Sequence, residues 1–378
     1  MIIGLFPDLL PVGGVQMAGR QLAAVLTRIA RTRGIKTNFI SLNDPSGIHT
    51  ASAAGEEFSF SGFGRSKPKF VTQGLRFAKE DPRLILAAHP NLAVPGALIK
   101  LRSENQKTPP ALVVCSHGVE VWQPLSRLRK TSLKKADLVF APSSDTARKL
   151  NEVQNVALNK IQVLHWGLDP CFVDLAVAAE RDPRPARMPN GPYILSVGRW
   201  AAAERYKGFD TLIQVMPKLS ESFPNLQLVF VGEGDDRSFL EQMAAEYRVA
   251  DRTRFVSGLS RSDLAAAYRH CEVFALPSGG EGFGLVFLEA MALGKPVIGG
   301  NHGGTPDIVV DGVTGFLVSH GNKEELEASL GMLLGNEGLR KRMGAAGLDR
   351  VRSKFSFARF SSNLESAISK LIDSHKTR

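Results

Sequence analysis

Short apolar runs alternate with longer amphipathic stretches along almost the whole chain. The stretches 15–32 and 143–151 have helical periodicity, whereas the runs are too short for buried helices. Strands separated by helices are typical of parallel βα units, so the pattern predicts an α/β fold. The predicted strands are 2–6, 37–41, 84–89, 111–116, 137–141, 161–165, 193–198, 226–232, 253–258, 272–277, 296–300 and 315–319.

The pattern stops and restarts once, which indicates two domains in a chain of 378 residues. The interruption is richest in proline and arginine from Arg181 to Pro192. The predicted organisation is an amino-terminal domain over 1–170, a linker over 171–191 and a carboxy-terminal domain over 192–356. In such domains ligands bind at the carboxyl ends of the strands, and a cleft between the two domains is expected.

Positive charge is concentrated in the first domain. Residues 1–170 carry 22 basic and 12 acidic side chains, so the whole net charge of +10 belongs to them. Such an excess favours an anionic membrane surface or an anionic acceptor, although a solvated basic face without a partner explains it equally well. Nucleic acid is not expected, because no aromatic platform accompanies the charge. The basic clusters are Arg65, Lys67 and Lys69, and Arg127, Arg129, Lys130, Lys134 and Lys135.

Other features point to a cytoplasmic location. No apolar stretch approaches the length of a membrane-spanning helix. The start, MIIGLFPDLLPVGG, lacks a basic leader and resembles a buried strand more than a secretory signal. The cysteines, Cys115, Cys171 and Cys271, lie far apart, which suits a reducing compartment and argues against structural zinc. The expected location is cytoplasmic, with peripheral association at the inner membrane face as an option.

The segment GGEGFGLVFLEAMALGKPVI (279–298) sets two carboxylates, Glu281 and Glu289, on either side of an apolar run. A helix is predicted from about Gly284 to Leu293, after a glycine-rich turn that allows a ligand to approach the backbone. The free N–H groups of the first helical turn favour a phosphate. One carboxylate then faces sugar hydroxyls and the other ribose hydroxyls. The alternative is that Glu281 only caps the helix and Glu289 is a surface residue.

A diphosphate needs more positive charge than one helix end supplies. Arg199 and Lys207, in the segment SVGRWAAAERYKGFDTLI, follow a predicted strand and provide it. Asp235 and Asp236 also follow a strand, but they are adjacent and typical of a helix start, so no metal is expected there. The segment VGEGDDR lacks the third glycine of a dinucleotide-binding turn, so a nicotinamide-dependent enzyme is a poor fit.

The block EGFGLVFLEAMALGKPVI resembles the donor-site motif of the retaining glycosyltransferases of family 4. The resemblance to this family extends, in the family's own order, to GR…KG, LVFVGEGDD, FVSGLSRSDLAAAY and GGTPDIVVDGVTGFLV. In the first half it extends to GGVQMAGRQLA, CSHGVEVW and VLHWGLDPCF. The resemblance implies a GT-B fold, with two Rossmann-like domains facing a central cleft. It also implies that the last helix, about 357–378, packs back on the first domain.

The resemblance implies a role for each matching residue. Arg199 and Lys207 would bind the diphosphate, and His117 would contact the sugar near the reacting carbon. Glu281 would hold the transferred sugar and Glu289 the ribose. Catalysis would thus rest on His117, Glu281, Arg199 and Lys207. The donor-binding set would be Gly14, Arg199, Lys207, Gly232, Leu259, Glu281, Gly282, Phe283, Gly284, Leu285, Val286 and Glu289.

The implied reaction moves a hexose from a nucleoside-diphosphate sugar to a hydroxyl of a glycan, lipid-linked or small-molecule acceptor, with retention and without a metal or other cofactor. Acceptor contacts are expected from 43–70 and 119–135, and His89 is a further candidate. Two alternatives stay open. A nucleotide-sugar epimerase of the same architecture would need no acceptor, and a non-catalytic module would bind nucleotide sugar without turnover.

Overall fold

The apolar runs form two separate sheets in the computed structural model, which describes residues 1–11, 13–106, 108–178 and 184–374. Contacts divide the chain into two units. Unit 1 consists of Met1–Asp169 and Phe357–Arg378, and unit 2 of Pro170–Ser356. The last helix is therefore part of unit 1, although the chain reaches it only after completing unit 2.

The sheet of unit 1 has eight strands over the described residues, in the order β3-β4-β2-β1-β5-β6-β7-β8. All its pairs are parallel except β3 with β4, an antiparallel hairpin. This hairpin lies within 43–70, where the sequence pattern predicted no strand. The strands are β1 (Ile2–Phe6), β2 (Thr37–Ser41), β3 (Gly47–Ala53), β4 (Glu56–Gly62), β5 (Leu84–Ala87), β6 (Ala111–Cys115), β7 (Leu138–Ala141) and β8 (Ile161–Val163).

The sheet of unit 2 is parallel in every described pair and has the order β11-β10-β9-β12-β13-β14. The chain winds outward from β9 in one direction and then returns to β12 on its other side. The gap between β9 and β12 is therefore a topological switch point, where the loops after the two strands diverge and leave a crevice. The strands are β9 (Tyr193–Val197), β10 (Gln227–Val231), β11 (Thr253–Val256), β12 (Val273–Leu276), β13 (Val297–Gly300) and β14 (Gly315–Val318).

Helices connect the strands in both units. Unit 1 contains α1 (Gly14–Thr32), α2 (Lys67–Phe77), α3 (Ala93–Arg102), α4 (Arg127–Lys134) and α5 (Ser144–Glu152). Unit 2 contains α6 (Pro170–Ala178), α7 (Phe209–Ser222), α8 (Arg237–Glu246), α9 (Arg261–His270), α10 (Leu285–Ala292), α11 (Thr305–Ile308), α12 (Lys323–Gly335) and α13 (Glu337–Lys354). The last helix, α14 (Phe357–Ser374), belongs to unit 1.

Polar contacts attach α14 to α1 and to Arg33, the residue that follows α1. Arg33 forms an ion pair with Asp373, with a nitrogen-to-oxygen distance of 2.7 Å, and Arg28 donates a hydrogen bond to Ser361. Apolar residues of α14 such as Phe360 and Leu364 are buried. The helix is thus packed along its length rather than left as a tail.

The first part of the predicted linker is structured. Within 171–191, residues up to Ala178 belong to α6, which packs against α9. Phe172 is buried, and its ring lies 6.1 Å from that of Tyr268. Among the described side chains of this helix Phe172 is the buried apolar residue, whereas Val173 and Val177 are exposed. Residues 179–183 lie outside the described part of the chain.

No helix in the described ranges is both long and apolar enough to cross a membrane.

Candidate functional site

The loop after β9 brings two cations to one carboxylate. Arg199 donates a hydrogen bond to one oxygen of Glu204, and Lys207 Nζ lies 3.1 Å from the other oxygen. Lys207 and Glu204 have side chains only 15% and 16% exposed, whereas that of Arg199 is 68% exposed. Burial raises the pKa of Glu204, but its bonds to Arg199 and Lys207 outweigh this effect and lower the pKa. The carboxylate therefore stays ionised at neutral pH.

The loops after β9 and β12 are joined at the switch point. Residues Ala202–Lys207 form a 3₁₀ turn, and the carbonyl of Tyr206 accepts a 2.6 Å hydrogen bond from the N–H of Gly279. Gly208 then has a φ of 76°, and a Cβ there would lie 2.6 Å from the carbonyl oxygen of Pro277. Only glycine fits this approach without displacing one of the loops.

The loop after β9 that carries Arg199, Glu204 and Lys207 is called the cation loop below. Glu281 lies in the turn after β12, and the charges of Glu204 and Lys207 in the cation loop act on it. Its Oε1 is buried and has no hydrogen-bond partner among the described residues, although the residue as a whole is only half-buried. Burial is the main cause of a raised pKa, and Glu204 raises it further, while Lys207 and Ser278 oppose the change. Burial and the nearby Glu204 and Glu281 also raise the pKa of Tyr206 to about 12. A buried acceptor without a partner is suited to a hydroxyl-bearing ligand.

Two glycines of the segment after β13 support the Glu281 turn from behind. The N–H of Gly304 donates a 2.6 Å hydrogen bond to the carbonyl of Glu281. Gly303 has a φ of 64°, and a Cβ there would lie 2.7 Å from the backbone nitrogen of Glu281. The two glycines of the motif GGTPD thus hold the backbone of Glu281, a role that the sequence alone did not reveal.

Helix α10 begins where the sequence predicted it, immediately after Gly284, whose φ is 106°. Leu285 and Val286 in its first turn are half-buried, whereas the side chain of Phe283 is buried beside Phe355. Any ligand contact by Gly282 or Phe283 would therefore use the backbone. The half-buried first turn is compatible with a phosphate at its N–H groups.

Glu289 lies inside α10 and is only 8% exposed. Its Oε2 accepts a 2.9 Å hydrogen bond from the phenol of Tyr268, which comes from α9 and is fully buried. The solvated position considered for Glu289 does not occur. Tyr268 lies in a motif that resembled the family, but its contact with Glu289 joins two helices and has no signature in the sequence.

The residues expected near the base, Gly232 and Leu259, follow β10 and β11. Ser257 Oγ donates a 2.7 Å hydrogen bond to the carbonyl of Gly232, and Leu259 is half-buried before the cap of α9. The adjacent acids are occupied within the protein. Asp235 accepts a hydrogen bond from the N–H of Ala202, and Asp236 forms an ion pair with Arg205.

The remaining predicted residues, His117 and Gly14, belong to unit 1. His117 follows β6 and is stacked between His89 and Trp166, with ring centroids 5.5 Å and 5.4 Å away. Its Nε2 lies 2.7 Å from the carbonyl oxygen of Ala88, and its backbone N–H donates to Glu120. Gly14 is exposed and starts α1. Unit 1 thus holds His117 in a stack of aromatic rings beside the carboxyl ends of β5 and β6.

Comparisons with known proteins agree with this arrangement. The family described as "Glycosyl transferases group 1" matches residues 179–350, and "Glycosyltransferase Family 4" matches residues 12–171. The chain belongs to the family 4 glycosyltransferases.

Curated relatives of this family 4 glycosyltransferase include a glycogen synthase of Mycobacterium tuberculosis, 31% identical over 63% of this chain and 53% of the relative. They also include a GDP-mannose-dependent alpha-(1-6)-phosphatidylinositol monomannoside mannosyltransferase of Mycolicibacterium smegmatis, 36% identical over 62% of this chain and 64% of the relative. The chain therefore spans between about half and two thirds of these two relatives.

Solved structures share the fold of this family 4 glycosyltransferase, which is GT-B. The sucrose-phosphate synthase of Thermosynechococcus elongatus has a TM-score of 0.77 at 24% identity, over 99% of both chains. Anabaena HepE in complex with UDP and glucose has a TM-score of 0.75 at 19% identity, over 98% of this chain and all of the other.

Proposed function

We propose that the protein is a retaining glycosyltransferase that moves a hexose from a nucleoside-diphosphate sugar to a hydroxyl acceptor. The observation that carries the proposal is the convergence of Arg199, Lys207 and Glu281 at the switch point of unit 2. Two cations, together with a buried carboxyl oxygen that has no partner in the described part of the chain, match a diphosphate attached to a sugar with free hydroxyls. The names of the curated relatives, a glycogen synthase and a mannosyltransferase, support the same reaction class.

In the proposed mechanism the bond between the anomeric carbon and the phosphate oxygen breaks, and the acceptor oxygen bonds to the same face of that carbon. The acceptor hydroxyl passes its proton to the departing phosphate oxygen. Arg199 and Lys207 stabilise the negative charge that grows on the phosphate, and Glu281 orients the sugar. Glu289 binds the ribose, and Gly232 and Leu259 adjoin the base. His117 and Gly14 are the contributions proposed for unit 1.

The acceptor is proposed to be a glycan or a lipid-linked sugar at an anionic membrane surface. Within unit 1 the side chains Arg127, Arg129 and Lys134 are exposed along α4, beside Leu128, which is 64% exposed. Such a combination favours an anionic interface. Vesicles containing anionic lipid should bind the protein at low salt and release it at high salt. Absence of binding at low salt would exclude this part of the proposal.

The reaction is tested with a panel of nucleoside-diphosphate hexoses, each incubated with and without candidate acceptors. We expect one donor to yield a glycoside whose anomeric configuration, measured by NMR, is that of the donor. An inverted product would contradict the mechanism. Conversion of the donor sugar into its epimer without an acceptor, or binding without any turnover against the panel, would favour the two alternative functions instead.

A further inference from the structure

The two cations of the cation loop share a single partner. Arg199 bonds to one oxygen of Glu204 and Lys207 to the other, so one carboxylate spans both. Across the part of the chain that the structure describes, neither side chain has another hydrogen bond or ion pair. The relative placement of the two cations therefore depends on Glu204.

The backbone of the loop does not need this carboxylate. The 3₁₀ turn is fixed by Gly279, which donates to the carbonyl of Tyr206, and by Asp235, which accepts from the N–H of Ala202. The side chain of Glu204 points instead to Arg199 and Lys207.

Arg199 needs such a partner more than Lys207 does. Its side chain is 68% exposed, and a long exposed guanidinium without a partner samples many rotamers. A ligand that binds it must first order it. Glu204 orders it before the ligand arrives and leaves guanidinium N–H groups available, since Arg has five donors.

We propose that Glu204 is a positioning residue that holds Arg199 and Lys207 in the geometry for the donor diphosphate. The inference rests on the proposed function and adds a residue to it. The proposal requires that Glu204 does not compete with the phosphate for the two cations, and its side chain is only 16% exposed. Its removal should weaken the diphosphate contacts while the nucleoside contacts persist.

The test compares Glu204→Gln with the matched change Glu246→Gln. Glu246 is an exposed residue of α8, and in the described part of the chain its side chain accepts a hydrogen bond only from Gln242. Affinities are measured for UDP and GDP and for uridine and guanosine. We expect Glu204→Gln to weaken binding of whichever diphosphate the wild type binds more tightly by at least tenfold. It should leave nucleoside binding unchanged and raise KM for the donor more than it lowers kcat. Glu246→Gln should behave as wild type.

Three outcomes would overturn the inference: unchanged diphosphate affinity, tighter diphosphate binding, or equal weakening of nucleoside and diphosphate. Tighter binding would mean that Glu204 competes with the phosphate, and equal weakening that it only supports the fold. If Glu204→Gln does not fold, Glu204→Asp keeps the charge but is too short to reach both cations, and the same loss is expected. Wild-type protein that binds neither diphosphate would count against the proposed function itself.

Discussion

The phenol of Tyr268 in α9 donates a 2.9 Å hydrogen bond to Glu289 in α10, and both side chains are buried. The bond fixes the carboxylate proposed to hold the ribose. Tyr268→Phe should therefore weaken nucleoside diphosphate binding roughly three- to tenfold. A hydrogen bond to a charged group contributes about 1.5–3 kcal/mol, and contacts from the bound ligand replace part of that contribution. Calorimetric titration measures the change.

Tyr193→Phe is the matched control for this prediction. Tyr193 is also fully buried, and its phenol donates a 2.6 Å hydrogen bond to the carbonyl of Ala267. Both variants should lose stability, but only Tyr268→Phe should lose affinity. Equal affinities in the two variants would show that the Tyr268 bond has no part in binding.

Gly303 supports the Glu281 turn, and its replacement should disable the site. Gly303→Ala places a Cβ against the backbone of Glu281 and also has an unfavourable φ of 64°. Gly312→Ala shares the unfavourable φ, 70°, but would meet no atom within 4 Å. Both should be destabilised by roughly 1 kcal/mol from the left-handed backbone.

Transfer activity distinguishes the two glycine variants. Gly303→Ala should lose at least 90% of the wild-type rate, roughly 1.4 kcal/mol or more of transition-state stabilisation, because the carboxylate is displaced. Gly312→Ala should keep most of it. If both variants retain activity at equal stability, the turn tolerates the displacement and Glu281 does not need this support.

Glu281 is expected to reduce stability while it serves function. Its pKa is raised, mainly by burial, so the folded state holds the proton more tightly than the unfolded state does. Stability should therefore fall as pH rises from the ordinary carboxyl pKa through the raised value. Glu281→Gln should be almost inactive but melt at a higher temperature than wild type at pH 7.

The difference in melting temperature between Glu281→Gln and wild type should shrink as the pH is lowered towards 4, where the wild-type carboxyl is protonated. Scanning calorimetry across this range measures it. If Glu281→Gln is less stable than wild type at pH 7, the ionised carboxylate has sufficient hydrogen-bond and charge partners within unit 2.

His89 should make unit 1 sensitive to mild acid. Burial, followed by the neighbouring His117, lowers its pKa from 6.5 to about 4. Between these values the unfolded chain binds a proton that the folded state rejects, so stability falls as pH drops from about 6.5 to about 4. The loss should be on the order of 1–3 kcal/mol, and it should be absent in His89→Gln when denaturation is followed against pH. An equal slope in both proteins would assign the sensitivity to other groups.

Much of the fold could be predicted because its strands are short apolar runs between helices, a local pattern. The hairpin of β3 and β4 was missed because β3 is largely exposed and its turn, Ala54–Gly55, has positive φ values without an Asn-Gly signal. α6 was missed because it begins at Pro170 and a proline-rich segment follows it.

The site could be predicted only as far as its motifs are local. Arg199, Lys207 and Glu281 stand beside strand ends, so their meeting at one switch point follows from parallel topology. The contacts of Tyr268 with Glu289 and of Gly303 with Glu281 depend on how separate elements pack. Periodicity does not encode that packing.

The central claim is that Arg199 and Lys207 bind the donor diphosphate, and titration of nucleoside diphosphates into three proteins tests it most directly. These are wild type, the double variant Arg199→Ala/Lys207→Ala and the control Lys218→Ala, whose exposed side chain in α7 pairs with Glu327 in α12. We predict that wild type and the control bind one diphosphate equally, and that the double variant binds it at least a hundredfold more weakly, roughly 2.7 kcal/mol. Equal affinity in all three proteins, or no binding by wild type, would contradict the claim.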